Sequence, residues 1–390
     1  MFENILDQEH VVARLTEDLE NNRLPSSLLF FGPAFSGKLS AALELARGLS
    51  CSREREWSCS CPDCRKHRTL THPDLGMLGP RYFQQELDGS LEVLRRSRKD
   101  YARYLVLRAA RKLTRRFDPW LWEGEENKLK GVRSSLDSME ELLDELDPAA
   151  GELSEARVEG MLSSIVKEAS VITKGVNLNH IPIFMLRNLA YWTRTTGHGR
   201  GKIIIMENAE TMMDSARNAV LKILEEPPEG VHFILTTSKR AALIQTILSR
   251  LRPYAFKERD VNGERQVLNR IFREPSGEFH SLREYFLGFD LGAGEIRRHA
   301  ETVADLISGN RTEGDLSEVF TMLQKKERFL PLLEELEEIL RQKLRVLTSG
   351  AELDRMENLM PRLTRARKMF EGYNQNPDLL LEGLLYGGAW

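Results

Sequence analysis

Three short stretches of this 390-residue chain combine residue types and spacings suited to chemistry. Gly32-Pro33-Ala34-Phe35-Ser36-Gly37-Lys38 fits the pattern G-x-x-x-x-G-K. Set between a strand and a helix, such a loop turns backbone N–H groups and a lysine ammonium toward phosphate oxygens. The next position, where a Ser or Thr hydroxyl would ligate magnesium, is Leu39. Ser40 follows, but on a helix it points about 100° away. The loop therefore suggests ATP with magnesium, with the metal contact weakened.

The second stretch is Ile203-Ile204-Ile205-Met206-Glu207-Asn208-Ala209-Glu210. At the end of a buried strand in a phosphate-loop protein, an Asp holds magnesium and a following Glu polarises the attacking water. Here Glu207 and Asn208 stand in those places. An amide orients a water but cannot take its proton. Glu207 and Glu210 retain acidity, so the expectation is weak or absent hydrolysis at this chain's own site. The third stretch holds all four cysteines: Cys51, Cys59, Cys61 and Cys64. In a reducing compartment a cluster so tight points to metal rather than to disulfides. Four thiolates suit a closed, structural zinc site. The close Cys59-Ser60-Cys61 pair leaves His67 or His72 open as a substitute ligand.

These residues need elements to hold them. Ser27–Phe31 reads as a buried strand ahead of the glycine loop, and Leu39, Leu43, Ala46 and Leu49 follow at helical spacing. Lys202–Met206 and His232–Thr237 read as further buried strands, joined by a helix from about Ser215 to Glu225 that Pro227-Pro228 stops. The expected fold class is α/β: a three-layer core on a parallel sheet. Residues of about 82–180 lack strand signals and read as an inserted helical module, an antiparallel pair with turns at Asp118-Pro119 and Asp147-Pro148. Arg95 to Arg116 is strongly basic and, with Tyr101 and Tyr104, could meet nucleic-acid phosphates and bases. The intramolecular alternative pairs it with the acidic stretch at 137–147, and the near-cancelling charges favour that alternative. Beyond about 258 the chain reads as all-helical, with amphipathic stretches at Leu316–Leu347 and Asn358–Phe370.

The formal net charge of -3 advertises no global nucleic-acid binder. No apolar run approaches the roughly 20 residues of a membrane span, and the first residues do not read as a secretory signal. A cytoplasmic protein without a membrane partner is expected.

Four further stretches, taken in order, carry a resemblance. Asn218-Ala219-Val220-Leu221-Lys222-Ile223-Leu224-Glu225-Glu226-Pro227-Pro228 resembles N-A-L-L-K-x-L-E-E-P-P of bacterial DNA polymerase III clamp-loader AAA+ subunits. Thr246-Ile247-Leu248-Ser249-Arg250-Leu251 resembles the T-x-x-S-R-C of the same family, with Leu251 in place of Cys. Phe2 to Glu9 resembles its opening F-x-x-I-x-G-Q-E, with Asp7 in place of Gly, and His72-Pro73-Asp74 matches another landmark. The four matches cover residues 1–80 and about 180–257. The cysteine spacing, C-x7-C-x-C-x2-C, departs from the family's C-x8-C-x2-C-x2-C.

The resemblance implies a phosphate-loop AAA+ core over residues 1–257, including a zinc module at 51–67 and the helical insertion. A helical lid at 258–312 and a helical, collar-like oligomerisation domain at 313–390 follow. It implies partners as well: other loader subunits in a hetero-pentamer, a sliding clamp, and primed DNA reached through the complex. By the same resemblance Arg250 is an arginine finger offered to a neighbouring ATP site, Thr237 or Ser238 a sensor, and Arg297, on a weaker match, a second sensor. Gly32, Gly37, Lys38, Leu39, Ser40 and Thr237 would line the nucleotide. The combination of Leu39, Asn208 and Arg250 resembles the family's delta-prime members more than its gamma/tau motor members. An active motor subunit is the competing expectation, and a free-standing nucleic-acid-dependent ATPase a more distant one.

Overall fold

The computed structural model describes residues 1–274, 277, 279, 281–291, 295–308, 316–324, 328–346, 351–373 and 375–386. They fall into two compact units, 1–282 and 283–390.

The first unit opens with α1 (Glu9–Glu20), β1 (Ser27–Phe31), α2 (Lys38–Ser50), α3 (Pro62–Arg68) and β2 (Leu75–Leu78). The insertion follows as α4 (Phe83–Ser97), α5 (Asp100–Thr114), α6 (Arg133–Leu146) and α7 (Glu155–Gly175). Then come α8 (Ile183–Trp192), β3 (Lys202–Met206), α9 (Asp214–Glu225), β4 (Val231–Thr237), α10 (Gln245–Leu248), β5 (Arg252–Ala255) and α11 (Val261–Val267). The five strands form one all-parallel sheet in the order β2-β3-β4-β1-β5. This is the three-layer α/β core the sequence leads one to expect.

Strands buried on both faces need no polar alternation, which is why β1, β3 and β4 read as plain apolar runs. Leu28, Phe30, Ile203, Ile205, Ile234 and Met77 turn to one face and pack with Val11, Leu15 and Leu19 of α1 and Leu39, Leu43 and Ala46 of α2. On the other face Gly76 of β2 lies under the stacked rings of Trp120 and Trp192, whose centroids are 4.2 Å apart.

Two strands escape the sequence reading. β2 is four residues long with a glycine inside, and β5 contains Pro253. Pro lacks an N–H for the ladder and is confined to edges, and β5 is an edge strand. The insertion contains four helices rather than a pair, with α4 against α5 and α6 against both α5 and α7. The turns at Asp118-Pro119 and Asp147-Pro148 each begin a short 3-10 turn.

The second unit contains α12 (Leu282–Leu291, entered from the first unit's last residue), α13 (Glu295–Ser308), α14 (Ser317–Leu323), α15 (Phe329–Val346), α16 (Ala351–Tyr373) and α17 (Pro377–Tyr386). The amphipathic stretch expected over Leu316–Leu347 is two helices, α14 and α15. Val319, Met322, Leu332, Leu336 and Leu340 serve the same core, so the apolar pattern carries across the break. Gly294, Leu347 and the expected boundary at 312/313 lie outside the described residues. Among the described residues no helix is long and apolar enough to cross a membrane.

Candidate functional site

The glycine loop sits as its pattern requires, between the end of β1 and the start of α2. Gly32 and Gly37 are positions only glycine fits. Each has a positive φ, and a Cβ on Gly32 would lie 2.2 Å from the Phe256 carbonyl oxygen. Gly37 is the N-cap of α2, and a Cβ there would meet the Arg259 guanidinium at 2.8 Å. Arg259 donates to the carbonyls of Phe35 and, at 3.2 Å, of Leu6, so one of the loop's closest neighbours is a cation. Lys38 turns back onto its own loop. Its Nζ donates to the Gly32 carbonyl at 2.7 Å, to the Pro33 carbonyl and to Ser238 Oγ at 3.3 Å. Burial pulls its ammonium down to about 8, against the attraction of Glu210 and Glu207. Leu39 is buried in the core beside the sheet, and Ser40 is exposed. The position after Lys38 offers no hydroxyl to hold magnesium.

Glu207, at the end of β3, is 3% exposed and held by two arginines, one just before α4 and one just after α5. Arg81 Nη1 donates to Oε1 at 2.7 Å, and Arg116 Nη2 donates to Oε2. Arg81 also donates through Nε to Glu86 at 2.6 Å, and Lys112 completes the group by pairing with Glu86. Burial pushes the Glu86 carboxyl up, but Arg81 and Lys112 outweigh it and hold it at about 2. Burial pulls Lys112 down to about 8, with Glu86 opposing. The charge that a magnesium ion would bring to Glu207 is supplied by guanidinium groups instead.

Asn208 adopts a left-handed conformation, φ 48, and its Nδ2 donates to the Pro80 carbonyl at 2.9 Å. The amide thus ties the end of β3 to the segment leaving β2. Thr237 is fully buried, and its hydroxyl accepts from the Lys239 N–H at 3.0 Å. Of the two candidate sensors, Ser238 is the one whose hydroxyl reaches Lys38. Arg297, in the second unit, faces Glu301 at 3.3 Å and Glu335 at 3.9 Å, the ordinary pairing of a helix arginine.

The four cysteine sulfurs lie within 4.8 Å of one another, with Cys51 and Cys59 3.7 Å apart. A tetrahedral ion with metal–sulfur bonds of 2.3 Å puts its sulfurs about 3.8 Å apart, so the donor set fits one. Burial and the neighbouring Cys51 and Cys61 push the Cys64 thiol up, with Arg47 opposing. Cys61 is buried too, yet the backbone N–H groups of Cys64 and Ser52 bring it to about 6. Sulfurs so arranged could hold a metal ion. Neither histidine joins the set: His67 Nε2 bonds Ser50 Oγ at 2.8 Å and its ring stacks on His72 at 4.3 Å.

From Arg103 onward the basic run of the insertion is turned inward, while Arg95, Arg96, Arg98 and Lys99 are exposed. Arg103 caps the end of α6 through the carbonyls of Leu146, Asp147 and Gly151 at 2.8–2.9 Å. Arg108 and Arg111 reach the last carbonyls of α3 and its cap, Arg68 at 2.8 Å and Thr69 at 3.0 Å. Arg111 also pairs with Asp144 of the acidic helix at 2.6 Å. Helix C-termini leave carbonyls unpaired and carry negative partial charge, which is where cations belong. The intramolecular expectation holds in part: the acidic helix takes Arg111 through Asp144 and Arg103 through its last carbonyls, while Arg96, Arg98 and Arg116 pair with Glu274, Glu155 and Glu207 elsewhere.

Arg250 follows α10 at the surface. Its Nη1 donates to the Thr246 carbonyl at 2.7 Å and its Nη2 pairs with Glu225 at 2.6 Å. Glu225 belongs to the stretch ending in Pro227-Pro228, so two of the recognised stretches meet at this residue. Reading the sequence singled out Glu207, Asn208 and Lys38, but not Arg81 or Arg259. Arg116 stood in the basic run with no sign that its partner lay 91 positions away.

Comparison with known proteins agrees across the first unit. A family model described as "DNA polymerase III, delta subunit" matches residues 7–114 and 159–260, just over half of the chain. The Yersinia pestis DNA polymerase III subunit delta' is 44% identical over 52 residues, 13% of this chain and 15% of that protein. The Escherichia coli subunit tau is 37% identical over 90 residues, 23% of this chain and 14% of that protein. The chain thus spans about a seventh of the length of these two curated relatives. A solved gamma subunit-related protein from Thermotoga maritima shares 20% identity over 53% of this chain and 78% of its own, with a TM-score of 0.30.

Proposed function

The chain belongs to the clamp-loader family whose model is described as DNA polymerase III, delta subunit, and on that premise we propose that it is a delta-prime-like subunit. It helps a hetero-pentameric loader place a sliding clamp on primed DNA, while its own nucleotide site stays silent. Arg250 acts in trans as the arginine finger of a neighbouring ATP site. Zinc held by Cys51, Cys59, Cys61 and Cys64 braces the core. Residues 1–257 form the ATPase-type core, 258–312 a lid and 313–390 a collar-like oligomerisation domain, and the protein works in the cytoplasm.

The observation that carries this reading is the occupation of Glu207 by Arg81 and Arg116. A strand-end carboxylate with each oxygen accepting from a buried guanidinium has its charge already compensated and part of its acceptor capacity engaged, so it has less to offer a magnesium ion. Leu39 in the core and Asn208 tied to Pro80 remove the two other groups that hydrolysis needs. Arg250, in contrast, stands at the surface on a side chain 31% exposed. A guanidinium offered to a neighbour stabilises charge on a transferring phosphoryl group.

Equilibrium titration of the purified full chain with a fluorescent ATP analogue in magnesium buffer tests the silent site. No saturable binding up to about 1 mM is expected, the weak end of the affinity scale. Phosphate release should appear only with partner subunits. Micromolar binding with steady turnover by the chain alone would make it a motor subunit instead.

A further inference from the structure

Arg47 lies four residues before Cys51 on α2 and takes no part in the nucleotide site. It is among the largest fully buried side chains of the molecule, 2% exposed. Nε and Nη2 donate to Glu44 at 2.9 and 2.6 Å, and Nη2 also donates to the Arg55 carbonyl at 2.8 Å. Nη1 donates to Cys64 Sγ at 3.0 Å. The same guanidinium stands 5.8 Å from the centroid of the Trp57 ring. Glu44, 3% exposed, accepts in turn from the Phe2 N–H at 3.2 Å.

The guanidinium edge aimed at Cys64 Sγ suits a metal-bound thiolate as its acceptor. A guanidinium is always protonated, and burying one is costly unless its donors meet anions or carbonyls. Two of its edges meet Glu44 and a carbonyl; the remaining one is aimed at sulfur. Four thiolates around a divalent ion carry two excess negative charges, in a cluster where three of the four sulfurs are buried. Backbone groups also reach the sulfurs, Arg53 N on Cys51 at 3.4 Å and Cys64 N on Cys61 at 3.5 Å. Among the described residues, Arg47 is the one cationic side chain shown donating to a ligand sulfur.

Resting on the zinc reading above, we infer that Arg47 is the positioning residue that retains the metal. Its N–H engages a Cys64 lone pair, lowers that thiolate's basicity and holds it in place. It also connects the metal through Glu44 to the N-terminal segment and to the helix that begins at the glycine loop. Release of a thiolate-bound ion proceeds through a sulfur that swings away and takes a proton. A donor fixed on that sulfur opposes both steps. Outer partners of this sort commonly change metal affinity by 10–100-fold.

The test is zinc release from the full chain to a colorimetric chelator, followed by absorbance, in the wild type and three variants. Arg47→Lys keeps a buried cation but cannot serve Glu44 and the sulfur together. Arg47→Met with Glu44→Leu removes the pair without leaving an orphan charge. Glu54→Gln, at an exposed position of the same loop, is the control. Far-UV circular dichroism records whether each is folded. Expected are one zinc per wild-type chain, release on the order of 10-fold faster in Arg47→Lys and in the folded double variant, and wild-type release in Glu54→Gln. If the double variant does not fold, Arg47→Lys decides alone. Wild-type zinc with unchanged release in the Arg47 variants overturns the inference and leaves the zinc reading standing. A wild-type chain purified without zinc, and unable to take it up, overturns both.

Discussion

Replacing Arg250 with alanine is expected to slow phosphate release at the neighbouring ATP site by about 10³-fold or more, the scale of an arginine finger. ATP binding at that site should stay within a few-fold. The folded state should hardly change. Arg250 is half-exposed, and a surface pair such as the one it makes with Glu225 contributes about 0–1 kcal/mol. Arg250→Ala should therefore melt with the wild type while the reconstituted assembly loses the turnover of one site. Arg250→Lys should rescue little, because an ammonium cannot present the planar fork of donors. Steady-state phosphate release from assemblies built with each variant measures this. An Arg250→Ala assembly with unaltered turnover would remove the finger, and with it the reason to place this chain beside an active site.

The sheet was legible where burial on both faces writes itself as an unbroken apolar run, in β1, β3 and β4. It was illegible where a strand is short or is an edge: β2 holds Gly76 and β5 holds Pro253, and their places are fixed by neighbours rather than by their own residues. The site divides in the same way. What it lacks can be seen by position, because Leu39 and Asn208 stand in slots whose chemistry is defined by spacing from Gly37 and from the end of β3. What occupies it cannot. Arg81 and Arg116 come from the two ends of an inserted helical pair and converge on Glu207 only after α4 and α5 have folded against each other. Arg259 arrives from beyond β5. Charge runs say that cations exist, while partners distant in sequence decide where each one goes: carbonyls at the ends of α3 and α6 for Arg103, Arg108 and Arg111, and Glu207 and Glu274 for Arg116 and Arg96.

Glu207→Gln is expected to destabilise the first unit by about 3–5 kcal/mol, the cost of removing one partner from a buried charge group. The amide keeps the shape but leaves Arg81 and Arg116 facing no carboxylate except Glu86, which is already shared with Lys112. Magnesium should not restore the loss, and in the wild type neither magnesium nor its chelation should shift the melting temperature. This separates the arginine-held carboxylate from a metal ligand, since a true magnesium site would lose its ion-dependent stabilisation when Glu207 is changed. The same group gives an acid signature. Glu86 is held at about 2 against an ordinary carboxyl value of 4.5, so its folded pKa is the lower one. Its contribution is therefore complete above about pH 4.5 and lost as pH falls through about 2. About 3 kcal/mol should disappear over that window. Glu86→Gln should flatten this part of the curve while lowering stability at pH 7. Denaturant melts of the full chain at pH 7, 4.5 and 3 read both effects. A Glu207→Gln chain as stable as the wild type at pH 7 would mean that the two arginines are not committed to that carboxylate, and the argument for a silent site would then rest on Leu39 and Asn208 alone.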